Sequence, residues 1–192
     1  MTRKLNRRHL LSLTALLALT GCREDASNRY GSAGKGYVAG EGIAQEIAPA
    51  ERGEPISFSG TTVSGEKFSS SSLAGKIMVV NVWYAACAPC RSEAPLLQET
   101  SVTYAPKGVS FVGVNVRDAA GPARAFEERF GITYPSLLDE AGSITHSLRG
   151  AIPPNAVPTT IITDRQHRPA ARISGAADPS ILRAMIDRVV SE

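Results

Sequence analysis

The sequence predicts an α/β domain in which a central mixed sheet carries helices on both faces. Three observations carry that prediction. Lys76 to Tyr84 and Ser110 to Val116 are continuous apolar runs of strand length, the signature of strands buried on both sides. A helical segment follows each of them, at Ala88 to Tyr104 and Pro122 to Phe130. The chain then closes with a β-hairpin and an amphipathic helix. The order is βαβα, hairpin, helix.

Each element has a local reason. Ile56 to Ser59, Thr61 to Val63 and Gly65 to Phe68 surround Gly60 and suggest a short β-hairpin. Ser69 to Leu73 reads as one helical turn. The helix from Ala88 contains Pro95, which predicts a kink. In the next helix Ala125, Phe126, Arg129 and Phe130 recur at helical spacing, and Gly131 supplies the stop. Tyr134 to Leu138 is a short extended piece, and Ser143 to Leu148 gives one or two helical turns. Thr159 to Thr163 and Ala170 to Ile173 flank a turn at Asp164-Arg165-Gln166-His167. Asp178-Pro179 opens the last helix as cap and first residue. Ile181, Leu182, Met185, Ile186, Val189 and Val190 form its apolar face.

The first 21 residues read as a secretory signal. Arg3, Lys4, Arg7 and Arg8 precede an apolar run from Leu10 to Leu19, which is shorter than the ~20 residues needed to span a bilayer. Leu19-Thr20-Gly21-Cys22 resembles a bacterial lipobox, so Cys22 is the expected lipid-attachment site and the bilayer an expected partner through it. The plain alternative is an ordinary signal with an incidental cysteine. Arg7-Arg8 faintly resembles a twin-arginine export signal. Residues 22–52 are rich in Gly, Ala, Ser and charge and are expected to be a flexible tether with a reach of ~30 Å. Partial docking of Tyr37 to Ala39 and Ile43 to Ile47 on the domain is the alternative. The folded domain is expected over 53–192. The predicted address is therefore the outer face of the cell membrane.

The formal charge of +3 belongs to the leader: beyond residue 21, 17 basic side chains face 18 acidic ones. No basic footprint remains for nucleic acid, which excludes that class of partner. A monomer is expected.

The chemistry concentrates at Cys87-Ala88-Pro89-Cys90, where a strand delivers two cysteines to a helix N-terminus. Unpaired N–H groups and the positive dipole end stabilise a thiolate there, making Cys87 nucleophilic near neutral pH. Cys90, one turn on, is placed to resolve a mixed disulfide. A pair this close closes too short a loop to brace distant segments. A zinc site is poorly supported, since only His146 and His167 accompany the two cysteines in the mature chain. No metal and no cofactor beyond a redox-active disulfide are expected. A peroxidase would lack the assisting threonine three residues before Cys87, where Tyr84 stands.

Asn81 to Pro95 resembles the active-site segment of the TlpA/ResA-like branch of the thioredoxin superfamily. Gly65-Glu66 with Phe68, Leu73 to Lys76, Gly113 to Val116 with Tyr134 to Asp139, and Val157-Pro158-Thr159-Thr160 match the same branch in order. The likeness covers about residues 54–190. It implies a thioredoxin-like fold with an N-terminal hairpin and an inserted helix–strand unit. It also implies a cis Pro158 facing the cysteines, with Val157 exposing backbone groups for a substrate strand. Ile152 to Asn155 would shape the same rim.

Trp83, Ala86 and Pro89 complete the expected substrate surface, although a core role suits Trp83 equally well. Ala86 stands where relatives commonly have an aromatic residue, which widens or flattens the groove. Ala88-Pro89 lacks the histidine of strongly oxidising relatives, which favours a reducing role. Asn81 replaces the buried carboxylate of thioredoxins proper. Asp118 matches an acid that sits near the cysteines in the cytochrome c maturation branch and is expected to exchange protons with Cys90. A solvated turn or cap aspartate is its alternative. Glu93 is expected on a solvated helix face, explained by the dipole.

The resemblance implies an anchored protein-disulfide reductase acting on exported clients, with apocytochrome c the suggested one and a membrane dithiol carrier as electron donor. A disulfide-donating oxidase or isomerase, or a non-catalytic binding module, are the alternatives.

Overall fold

The computed structural model describes residues 37–39, 42–151 and 157–192. The expected lipid-attachment site Cys22, the expected signal over residues 1–21 and the expected rim at Ile152 to Asn155 lie outside them. Nine strands and four α-helices occupy the described residues. In order they are β1 (Tyr37–Ala39), β2 (Gly42–Glu46), β3 (Ser59–Thr61), β4 (Lys67–Ser69), β5 (Ile77–Trp83), α1 (Ala88–Tyr104), β6 (Val109–Asn115), α2 (Ala120–Phe130), β7 (Ser136–Leu138), α3 (Ser143–Ser147), β8 (Thr159–Thr163), β9 (Pro169–Gly175) and α4 (Pro179–Val190). Seven strands form one sheet in the order β1-β2-β9-β8-β5-β6-β7, and β3-β4 stand apart as a hairpin. The β5–β6 and β6–β7 pairs are parallel; the others in the sheet are antiparallel.

Central β5 is buried at every residue, as a run that is apolar everywhere but at Asn81 requires. Its side chains alternate between two cores. Ile77 and Val79 meet Leu97 and Tyr104 of α1 and Leu182, Met185 and Ile186 of α4. Met78, Val80 and Val82 meet Leu137, Ile144, Leu148 and the Phe58 and Phe68 pair. Asn81 and Trp83 share the parity of Ile77 and therefore face α1. The predicted caps are present: Asp178 Oδ1 accepts from the N–H groups of Ser180 (2.8 Å) and Ile181 (3.1 Å), and Gly131 ends α2 at φ 63°. Pro95 lies inside α1 on its exposed face, and the helix continues to Tyr104.

The tether expected over 22–52 is corrected at its C-terminal end. β2 pairs with β9 from Gly42↔Gly175 to Glu46↔Ala171, and Ile47 N–H donates to Ala170 O at 2.8 Å. Without β2 the outer side of β9 would be an open edge with unpaired backbone groups. Arg52 then locks the segment. Its guanidinium donates to Asp164 (3.2 Å), to both carboxylate oxygens of Glu192 (2.6 Å each) and to Ile47 O (3.2 Å). Arg52 and Asp164 side chains are only 3% and 5% exposed. No helix among the described residues is long and apolar enough to cross a membrane.

Burial alone would push the Asp164 carboxyl up, but N–H donation from Arg168 and the Arg52 and Arg168 guanidiniums together hold it below its ordinary value. That contribution is present above the unfolded carboxyl's pKa and is lost as pH falls through the depressed folded value. Arg52→Ala is expected to cost about 2 kcal/mol at neutral pH in urea denaturation. It should also expose residues 42–52 to limited proteolysis; a wild-type digestion pattern would mean that β2 holds without Arg52.

Candidate active site

Cys87 is the N-cap of α1, and its Sγ accepts the backbone N–H of Cys90 at 3.2 Å. A sulfur thus stands where helices usually place a Ser or Asp oxygen. The two cysteines form a disulfide with a Cα–Cα distance of 5.2 Å. Cys87 and Cys90 are 3% and 2% exposed, whereas Ala86, Ala88 and Pro89 are exposed around them. The pair packs with Val63, Trp83, Ala94, Ala123 and Phe126, and Val157 rests against that cluster. The Val157–Pro158 peptide is cis, and Pro158 O accepts the N–H of Gly175 at 2.9 Å.

Trp83 takes the core role rather than the substrate role. It is 3% exposed, its ring lies 4.3 Å from that of Phe126, and it shares a cavity of about 10 Å³ with Cys90, Asn81, Tyr134 and Ser136. The cavity has room for about one water. Close approach here requires a glycine: a Cβ on Gly113 would come within 2.8 Å of Trp83 Nε1.

Asp118 and Glu93 differ most from expectation. Asp118 is half-buried, and its Oδ2 accepts from Ala85 N–H (2.6 Å) in the loop in front of Cys87 and from Asn115 Nδ2 (2.8 Å) at the end of β6. Glu93, expected on a solvated face, is 3% exposed. It lies one turn beyond Cys90 on the side of α1 that meets the sheet. Asn81 Nδ2 donates to its Oε1 (2.9 Å) and Ala177 N–H to its Oε2 (2.8 Å). Asn81 also donates to Thr160 Oγ1 at 3.2 Å.

The carboxylate missing from position 81 is thus replaced by one reaching in from the helix, with Asn81 as its donor. The sequence signal was present: Glu93, Ala94, Leu97 and Tyr104 share one helical face, and the acid at its start belongs to the buried stripe. Burial pushes the Glu93 carboxyl up to about 7, against the two hydrogen bonds that favour its charge. Across the cavity, burial first and then the Glu93 and Glu127 charges push the Tyr134 phenol up as well.

A helix N-terminus that solvates sulfur, a second sulfur one turn in and a buried acid titrating near neutrality can exchange a dithiol for a disulfide and handle its protons. Between about pH 4.5 and about 7 the folded chain binds more protons at Glu93 than the unfolded chain. Stability therefore falls as pH rises through that interval, by about 3 kcal/mol in all. Glu93→Gln is expected to flatten this decline in urea midpoints measured against pH. An unchanged slope would place the titration elsewhere.

The Redoxin family profile matches residues 48–186. The thioredoxin-like protein YneN of Bacillus subtilis is 35% identical over 101 residues, covering 51% of this chain and 59% of that protein. The thiol-disulfide oxidoreductase ResA of Geobacillus kaustophilus is 30% identical over 115 residues, covering 60% and 64%. The chain therefore spans about three fifths of the length of these curated relatives. A secreted thiol-disulfide isomerase of Corynebacterium glutamicum superposes with a TM-score of 0.72 at 30% identity, covering 78% of this chain and 92% of that one. The fold is thioredoxin-like, and the chain belongs to the Redoxin family, alongside its TlpA/ResA-like thioredoxin members.

Proposed function

We propose that this protein is an extracytoplasmic thiol–disulfide oxidoreductase that reduces disulfides in exported proteins. The observation that carries the reading is the Cys87–Cys90 disulfide at the N-terminus of α1, with Cys87 as sulfur cap. In the reduced enzyme the Cys87 thiolate attacks one sulfur of a client disulfide. The client S–S bond breaks, a mixed disulfide forms, and the leaving thiolate takes a proton. Cys90 then gives up its proton and attacks Cys87. The second client thiol leaves, and the enzyme keeps the disulfide. Glu93, one turn from Cys90, is the base whose ionised carboxylate accepts that proton.

The cis Pro158 and the half-buried Val157 beside it are the rim on which a client strand pairs. Two electrons must return for each turnover, and a membrane dithiol carrier is the proposed donor. No cofactor beyond the disulfide takes part. Attachment through a lipid on Cys22 and apocytochrome c as client remain part of the proposal. They rest on the lipobox-like Leu19-Thr20-Gly21-Cys22 and on the resemblance of Asn81 to Pro95 to the TlpA/ResA-like active-site segment.

The second reading is disulfide donation or isomerisation, favoured by the likeness to the secreted isomerase of Corynebacterium glutamicum. The reduction potential decides between them. The full chain is equilibrated in defined thiol buffers and read by the emission of Trp83, its one tryptophan, which borders the Cys90 cavity. A value near or below ~−270 mV makes it a reductant, and one near ~−120 mV a disulfide donor. Cys87→Ser is expected to abolish reduction of insulin disulfides. Cys90→Ser should instead accumulate the mixed disulfide; a fully active Cys87→Ser protein would overturn both readings.

A further inference from the structure

Between the end of β5 and the cap of α1, Tyr84-Ala85-Ala86 belongs to no helix or strand, yet its backbone is held at Tyr84 O and on both sides of Ala85. Trp83 O accepts from Val116 N–H, and Tyr84 O from Cys87 N–H, both at 3.1 Å. Ala85 is held by side chains from two other parts of the fold. Asp118 Oδ2 accepts its N–H at 2.6 Å, and Arg91 Nη1 donates to its C=O at 3.2 Å. A methyl-bearing residue two positions before the attacking sulfur thus has both peptide groups fixed by charged side chains.

Asp118 is aimed for this contact. Asn115, fully buried at the end of β6 and paired in register with Trp83, donates to Asp118 Oδ2 at 2.8 Å. The Asn115 Oδ1 atom accepts the N–H groups of Asp118 (2.8 Å) and Arg117 (3.2 Å), an Asx turn that bends the chain back toward the loop. Arg117 covers the ring of Tyr84 from 4.3 Å. No salt bridge to Asp118 occurs among the described residues. By its charge alone a carboxylate does nothing to favour a thiolate, since like charges repel. Its placement therefore has to be explained by what the carboxylate holds.

We propose that Asp118 is a positioning residue. By gripping the Ala85 N–H, it fixes the turn that seats Cys87 as the cap of α1, with its Sγ on the Cys90 N–H, where the helix end stabilises the thiolate. This role replaces proton exchange with Cys90 as the account of Asp118, and it rests on Cys87 being the attacking thiol. The required property of residue 118 is an acceptor oxygen at the right height; a titrating proton is not needed. Asn supplies that oxygen and Ala does not.

The test is the rate at which iodoacetamide alkylates Cys87 in the reduced full chain, followed against pH and located by peptide mass mapping. Asp118→Ala is expected to slow the reaction at pH 7 by about fivefold and to raise the apparent Cys87 pKa, since one charge-assisted hydrogen bond is lost. Asp118→Asn is expected to stay within about twofold of wild type or to react faster. If both variants lose reactivity equally, proton transfer explains Asp118 and the positioning role is overturned. If both gain equally, repulsion is the whole effect of the carboxylate and the role is likewise overturned. Two variants that react like wild type overturn it too.

Amide exchange of the wild-type protein needs no variant and covers the case in which Asp118→Ala fails to fold. Ala85 N–H should be protected although it lies in a loop, and exchange at the rate of an open amide overturns the pin. A wild-type chain in which Cys90 is the faster thiol would overturn the assignment of the nucleophile. Ala85 protection would then still report on the contact alone.

Discussion

The active site depends on one arrangement: the end of a buried strand leads through three residues, Tyr84-Ala85-Ala86, into the first turn of a helix, with a sulfur as the cap. β5 is fixed on both edges, by parallel pairing with β6 and antiparallel pairing with β8. α1 is fixed by Leu97 and Tyr104 in the core beneath it. Neither end can drift, so the short link between them holds its geometry. Helix N–H groups otherwise left without partners then face Cys87, and the Cys90 N–H reaches its Sγ. The stability of the sheet is thereby converted into the local field at one atom.

The buried acid is the costly part of the site. Placing a carboxyl under α1 is unfavourable when it is charged, and two hydrogen bonds offset only part of the desolvation. The three groups around Glu93 come from three elements: Asn81 from β5, Thr160 from β8 through Asn81, and Ala177 from the link between β9 and α4. The end of β9 that leads into this link also reaches the cis-proline rim, since Gly175 N–H donates to Pro158 O. The polar network under the Cys90 helix and the cis-proline loop are therefore tied to the same stretch of chain. Such a network specifies one arrangement of the core, because any member left unpaired would bear its full desolvation cost.

Residues before the domain proper are less separate than their composition suggests. A Gly- and Ala-rich stretch with little periodicity reads as tether, but it becomes a strand when a neighbouring edge offers unpaired N–H and C=O groups. Arg52, a single cation in polar surroundings, gains its meaning only from Asp164 and Glu192, which are more than a hundred residues away in sequence.

Features that rest on local physics were legible in the sequence. The limits of α1 and β8, the Asp178 cap, the Gly131 stop and the redox pair at a helix start all follow from spacing, capping and backbone preference within a few residues. The cis Pro158 came through resemblance rather than through local physics. Contacts between segments that no local pattern couples were settled by the fold alone. These include the pairing of β2 with β9, the inward face of Glu93 against Asn81, the core position of Trp83 on Phe126 and the reach of Asp118 to Ala85. The environment of a charged or aromatic side chain is set by which elements pack against its own, and a one-dimensional pattern carries the periodicity of a face without the identity of its neighbour.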